Sequence, residues 1–218
     1  DYKIRFSAAS SGYQSVLPLS LITRFLSDLV LDNANKEDLS IKEKKQIEKE
    51  VNKVMNDKSL TDGVKFAMLR NISSRFKYSC FVNIVEEMEL NLYPESQRSV
   101  LFDLLSYANK IELNRLVLTT HSPYVINYLT LAAKAFLLTQ KISANETLQE
   151  RIKEVVPADS AIDPARLRIY ELKDGGVFRL STYEGLPSDE NFLNIQLGVT
   201  NELFDQLLEI EQEFDYKN

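Results

Sequence analysis

The chain has one cysteine and one histidine among its 218 residues. Cys80 alone excludes an internal disulfide, and with His121 as the only imidazole no structural zinc cluster of Cys and His can be assembled. A metal, where one is used, sits on carboxylates. No uninterrupted apolar run approaches the roughly 18 residues of a membrane-spanning helix. No charged stretch leads into an apolar core near the start, so no signal peptide is expected. An excess of positive charge is lacking too: 26 Lys and Arg stand against 32 Asp and Glu, a net charge of -6, which leaves no global basic field to draw the chain to nucleic acid or anionic lipid. Internal repeats and low-complexity tracts are absent. What is present is ordinary globular composition, 44% apolar and 27% charged, sufficient for one or two domains with a sizeable core. Together these features predict a soluble, cytoplasmic protein of a reduced compartment, with no membrane partner.

Hydrophobic periodicity orders the elements. Tyr2-Lys3-Ile4-Arg5-Phe6 alternates as a strand does, and Ser10-Ser11-Gly12-Tyr13-Gln14 then leads into a helix whose Leu21, Ile22, Phe25, Leu26 and Leu29 form one apolar face. Ser11 and Gln14 have the spacing of a capping box, and Pro18 is expected to kink that helix or delay its regular start. A polar, charge-balanced helix over residues 33–58 and a returning helix from Leu60 to Phe76 predict a helical insertion at about 33–76. Cys80 to Val85 and Arg115 to Thr120 have the composition of strands buried on both faces, separated by a helix carrying Leu101, Leu104, Leu105 and Ala108. His121-Ser122-Pro123 opens a helix from Tyr124 to Ala133, and Ala135 to Thr139 is expected to be a third strand. Strands and helices alternating with short links predict an α/β fold, a mostly parallel sheet flanked by helices. Beyond Lys141 the pattern changes to a polar helix at Glu146 to Val156, a hairpin over Arg166 to Tyr183 around Asp174-Gly175-Gly176, and a last helix from about Thr200 to Phe214. The expected organisation is therefore a domain over residues 1–140 and an extension over 141–218.

In parallel sheets ligands collect at the carboxyl ends of strands, where Glu86, Glu87 and His121 all fall. Of two adjacent carboxylates leaving a strand in divergent directions, one reaches a hydrated Mg²⁺ and the other orients or deprotonates a water. Such a pair also occurs where a chain simply leaves a sheet for solvent. Glu89 is expected to be the outward residue. His121 suits donation to a phosphate oxygen near neutral pH, and equally a structural role in its loop. Ser11 and Gly12 read either as a helix cap and a turn glycine, or as free amides at a helix start that hold an anion.

Taken in order, Ser10 to Gln14, the run Phe81 to Pro94 containing Glu86-Glu87-Met88-Glu89, and Leu116 to Pro123 resemble the C-terminal half of an ABC-type ATPase, more narrowly the OLD-like AAA ATP-binding proteins of bacterial defence systems. The resemblance covers roughly residues 1–140. It implies that Ser11, Gly12 and Gln14 match the signature motif, which contacts the γ-phosphate of ATP held by the opposite subunit of a head-to-tail dimer. It places Glu86 at the Walker B acid that supports Mg²⁺, Glu87 at the catalytic glutamate that polarises the attacking water, Asn91 and Leu92 in the D-loop region, and His121 at the switch histidine. Glu86 stands where Asp is usual, Met88 where Pro is common, Tyr93 where His is common, and Tyr13 at the signature's second glycine.

No G-x-x-x-x-G-K-[ST] phosphate loop occurs in the sequence. The resemblance thus implies the C-terminal portion of a longer, Mg²⁺-dependent ATPase that is inactive alone, dimerises on ATP and regulates an effector acting in nucleic-acid metabolism or phage defence. Two rivals stand beside it: a non-catalytic interaction module derived from a degenerate ATPase half, and a carboxylate-metal phosphohydrolase using Glu86, Glu87 and Glu89.

Overall fold

The computed structural model describes residues 5–35, 40–75 and 79–216. After a 3-10 turn at Phe6–Ala8, α1 runs from Ser11–Asn35, α2 from Ile41–Asn56 and α3 from Asp62–Arg75. There follow β1 (Val82–Glu86), α4 (Pro94–Asn109), β2 (Arg115–Thr119), α5 (Pro123–Lys141) and α6 (Glu146–Val155). Two antiparallel ribbons, β3 (Tyr170–Lys173) with β4 (Gly176–Arg179) and β5 (Thr182–Tyr183) with β6 (Leu186–Pro187), precede α7 (Phe192–Tyr216).

The expected α/β fold with a mostly parallel sheet is not what forms. Most described residues are helical, and the only parallel pairing among them joins β1 to β2. Two of the anticipated strands account for the difference. Ala135 to Thr139 continues α5, because no Gly or Pro interrupts the chain after Ala133, and the buried face of Val125, Leu129, Ala132 and Ala135 keeps the helical period. Of the opening stretch, residues 2–4 lie outside the described residues, and Phe6 begins the 3-10 turn.

Parallel strands need a crossover, which α4 provides. Pro94 occupies its first turn, and Val100, Leu101, Leu104 and Leu105 are buried. With Val85 and Met88, and with Val125, Leu129 and Ala132 of α5, they form the main core. Leu101, wholly buried, alone contributes about 2 kcal/mol by the usual transfer scale. The strand pair is pinned at its start by buried Asn114, whose Oδ1 accepts from the Phe81 N–H at 3.1 Å and whose Nδ2 donates to the Tyr107 carbonyl at 3.3 Å. A two-stranded ribbon is marginal by itself, so this fixed register depends on the helices packed on its inner face.

Helix α1 lies against α4 with Val16 and Leu19 on the core and Thr23 and Ser27 buried, and the Thr23 hydroxyl accepts from Asn83 of β1 at 3.0 Å. Ser11–Asp32 has the length and composition of a spanning helix, with a mean hydropathy of 1.2, although Ser, Thr and Pro interrupt any continuous apolar run. Asp28 on that stretch pairs with Lys110, the C-cap residue of α4, at 3.1 Å. Pro18 is accommodated inside the helix. The capping box expected from Ser11 and Gln14 does not form: Ser10 Oγ accepts from the Tyr13 N–H, and the Gln14 amide donates to the carbonyl oxygens of Ala9 and Ser7.

In the C-terminal part, Asp174 and Gly175, both with positive φ, make the two-residue turn of the expected hairpin. A second such turn at Glu184-Gly185 joins β5 to β6. Helix α7 starts eight residues ahead of the expected Thr200, because the Asn191 side chain accepts from the Asn194 N–H and caps it there.

Asp103 on α4 has its carboxyl held above the usual carboxylate range, first by partial burial and then by the charge of Asp159. A raised folded-state value makes this group most favourable to folding below the ordinary carboxylate range, and that contribution is lost as pH rises through the folded value. Asp103→Asn should therefore stabilise the protein at pH 7 by about 0.5 kcal/mol, a small gain because solvent screens the site. Thermal melts of both proteins check this, with the difference expected to vanish near pH 3.

Candidate functional site

The site sits where β1 and β2 end together. Glu86 is the last residue of β1, exposed and in register with Thr119; it shares the outward face with Val82 and Ile84, while Asn83 and Val85 turn inward. The chain then leaves the strand in a left-handed conformation, with φ of 47° at Glu87. A non-glycine residue in that region costs on the order of 1 kcal/mol and persists only where its surroundings hold it. Here the Glu87 N–H donates to the Thr119 carbonyl at 3.0 Å, extending the parallel pairing by one residue, and lies 3.3 Å from the Thr119 hydroxyl.

That turn carries the Glu87 side chain over to His121. Nε2 of the imidazole stands 3.3 Å from Glu87 Oε1, with side-chain exposures of 84% and 46%. Of the residues expected from sequence to carry chemistry, Glu87 and His121 are thus brought into direct contact, and Glu86 is the immediate chain neighbour. Both side chains are open to solvent.

Glu89 is not the outward residue expected. Its Oε1 accepts from the His121 backbone N–H at 2.6 Å and from the Thr120 hydroxyl at 2.8 Å, and its Oε2 is buried without a hydrogen-bond partner. This removes it from a ligand set with Glu86 and Glu87. Among the described residues no group of three or more His, Cys, Asp and Glu side chains converges to hold a metal. Glu86 and Glu87 fit the more modest demand of Mg²⁺, which binds through one or two carboxylates while substrate phosphates and waters complete its shell.

Ser122 is the N-cap residue of α5 by position, yet its hydroxyl makes no cap; it donates to Gln97 Oε1 at 2.7 Å. The Gln97 amide donates in turn to the Leu92 carbonyl at 3.0 Å. Both connections after the strands, 87–93 and 120–122, are thereby tied to the start of α4. Sequence reasoning gave no role to Gln97; a polar residue in an otherwise apolar helical face was the available signal.

Gly12 has a structural reason to be glycine. A Cβ there would lie 2.8 Å from the Asn91 carbonyl oxygen and 3.2 Å from Leu92 Cδ2, so the first turn of α1 packs directly under the loop that follows the acidic pair. Asn91, with φ of 61°, holds the left-handed conformation that its residue type tolerates. Ser11 is exposed at the first position of α1, and the Gln14 amide is committed to Ser7 and Ala9. Among the described residues no hydrogen bond joins Ser11 or Gln14 to Glu86, Glu87 or His121, so the signature-like segment meets the acidic pair only indirectly, through Gly12 and Asn91.

Because the obstructing atom is backbone, Gly12→Ala should destabilise the protein by about 1–2 kcal/mol despite the better helix propensity of Ala. Gly198→Ala, in α7 with nothing within 4 Å, is the control and should stabilise by about 0.5–1 kcal/mol. Denaturant unfolding of the two variants checks the pair; a stabilising Gly12→Ala would contradict the close approach. Comparison of the chain with protein-family models, with curated proteins and with solved structures finds no match in any of the three.

Proposed function

We propose that this chain contributes the water-activating and phosphate-sensing part of a Mg²⁺-dependent ATP-hydrolysing site of the ABC-type, OLD-like kind. The observation that carries the reading is the contact between Glu87 and His121 at the ends of adjacent parallel strands. Phosphoryl transfer asks a protein for positioning and charge neutralisation, and a carboxylate beside an imidazole meets both demands. Glu87 accepts a hydrogen bond from the attacking water and directs its oxygen towards the γ-phosphate. His121 donates from Nε2 to a γ-phosphate oxygen, exchanging the Glu87 carboxylate for the phosphate when nucleotide arrives and so freeing that carboxylate for water. Mg²⁺, held through Glu86, supplies neutralisation of phosphate charge. By the same resemblance Ser11, Gly12 and Gln14, at the start of α1, belong to the surface that meets ATP held by a second subunit, with Ser11 exposed there, so nucleotide drives dimerisation. The sequence contains no phosphate-binding loop, and the reading takes that loop from polypeptide outside these 218 residues. An effector in nucleic-acid metabolism or phage defence, and a cytoplasmic setting, belong to the same proposal.

A second reading, a non-catalytic interaction module, is favoured by one observation. Val82 and Ile84 of β1 and Val117 of β2 leave the outer face of the strand pair apolar and exposed, at 58%, 68% and 47%. Exposed apolar surface of this kind is a mark of a protein interface.

His121, as the sole histidine, gives one ring signal in a ¹H–¹³C spectrum of histidine-labelled protein, which separates the readings. Titration with Mg²⁺-ATP should shift it with a Kd of about 1 mM or weaker, as expected for a site without its main phosphate contacts. ATP in excess EDTA should shift it less, and Glu86→Gln should remove the Mg²⁺ dependence. A ring signal indifferent to Mg²⁺-ATP contradicts the ATPase reading and leaves the interaction module.

A further inference from the structure

We propose that Glu89 is the positioning residue of this site: by holding the turn that follows β2, its carboxylate sets where the His121 imidazole stands relative to Glu87 and to an incoming phosphate. The functional half of this statement rests on the reading above; the positional half does not. His121 is 84% exposed at its side chain, so little packing fixes the ring, and its place is inherited from the backbone. At Thr120 and His121 that backbone is held by one carboxylate oxygen, as Ser122 is held by Gln97. Glu89 Oε1 accepts from the His121 N–H at 2.6 Å and from the Thr120 hydroxyl at 2.8 Å, and Thr120 Oγ1 accepts from the Ser122 N–H at 3.0 Å. One carboxylate oxygen therefore organises three consecutive residues. Bonds of this kind to an ionised acceptor are short and about twice as strong as neutral ones.

The arrangement is costly, which is why it points to a role. Glu89 Oε2 is buried and accepts nothing, and among the described residues no Lys or Arg forms a salt bridge with this carboxylate. A loop needing only closure would be served by a neutral acceptor without burying part of a charge. The charge is instead spent on the residue that carries the imidazole. Because Leu92 N–H donates to the Glu89 carbonyl at 3.0 Å and Leu90 N–H to the Glu87 carbonyl at 2.9 Å, Glu89 is rigidly joined to Glu87 through the same turn. The two sides of the site are thus referred to one another across the strand ends.

The test is amide hydrogen exchange at His121 together with its ring signal, in the 218-residue chain and its Glu89→Ala and Glu89→Gln variants. Losing the charge-assisted bond should speed exchange at the His121 amide roughly 10- to 100-fold in Glu89→Ala and move the ring signal towards that of Glu87→Gln. Core amides such as those of Leu101 and Val125 should keep their protection. Glu89→Gln retains one acceptor oxygen and should fall between the parent and Glu89→Ala, which keeps the test decisive should Glu89→Ala fail to fold. Parental exchange and a parental ring signal in a folded variant would overturn the proposal. If exchange at His121 rises as expected while Mg²⁺-ATP leaves the parental ring signal unmoved, the positioning role stands and the ATPase reading falls.

Discussion

Five residues of β1 run parallel to five of β2 in a register that pairs Val82 with Arg115 and Glu86 with Thr119, and the geometry of the site is inherited from that pairing. A slip by one residue would turn every side chain to the other face, moving Glu86 inward and Val85 out of the core. The register is held at both ends by side chains as well as by the backbone ladder. At the start Asn114, buried and bonded on both sides of its amide, fixes Phe81 beside the end of α4. At the finish Thr119 receives the Glu87 N–H. Between them the core residues of α4 and α5 press on the inner face.

From this constraint the arrangement of the side chains follows by short steps. The left-handed turn at Glu87 ends β1 and aims one carboxylate across the strand ends, while Glu89, two residues on, draws the chain after β2 into place. Gln97 ties the outer parts of both connections to α4, through Leu92 on one side and Ser122 on the other. Gly12 allows α1 to close under Asn91. The contacts of Glu89 with His121, Gln97 with Ser122 and Gly12 with Asn91 join segments distant in sequence, so the site is a property of the packed core and not of any one loop. Two strained or costly features, the positive φ of Glu87 and the half-satisfied carboxylate of Glu89, sit within a few residues of one another. Local rules are broken at functional sites more often than elsewhere, which is consistent with placing the chemistry here.

What was legible in the sequence, and what was not, divides along the same line. The two strands of the parallel pair, the apolar face of α4 with Leu101, Leu104 and Leu105, and the Asp174-Gly175 hairpin depend on local pattern, and all are present. Ala135 to Thr139 was misread as a strand because a short apolar run has no period of its own, and its helical character comes from continuity with Ala132 and Ala133. The large parallel sheet expected from it fell with it. Strands Cys80 to Val85 and Arg115 to Thr120 have the composition of double burial, yet Val82, Ile84 and Val117 are exposed on one face. Glu89 was read as outward for a different reason: an acid two residues past the Glu86-Glu87 pair carries no local sign of reaching back to the neighbouring loop. Gly12 was read as a phosphate or turn glycine; the close approach of a carbonyl some eighty residues away in the chain is a further constraint on it that no local pattern announces. The encounter of Glu87 with His121 could be anticipated, because strand ends on one edge of a parallel pair are neighbours whatever else the chain does.

The central claim is that the carboxylate of Glu87 and the ring of His121 meet in solution, 3.3 Å apart, before any ligand is added. The most direct measurement is a nuclear Overhauser spectrum recorded from the ring protons of the single histidine. The account predicts cross-peaks to the side-chain methylenes of Glu87. A ring showing contacts to other residues and none to Glu87 would contradict it.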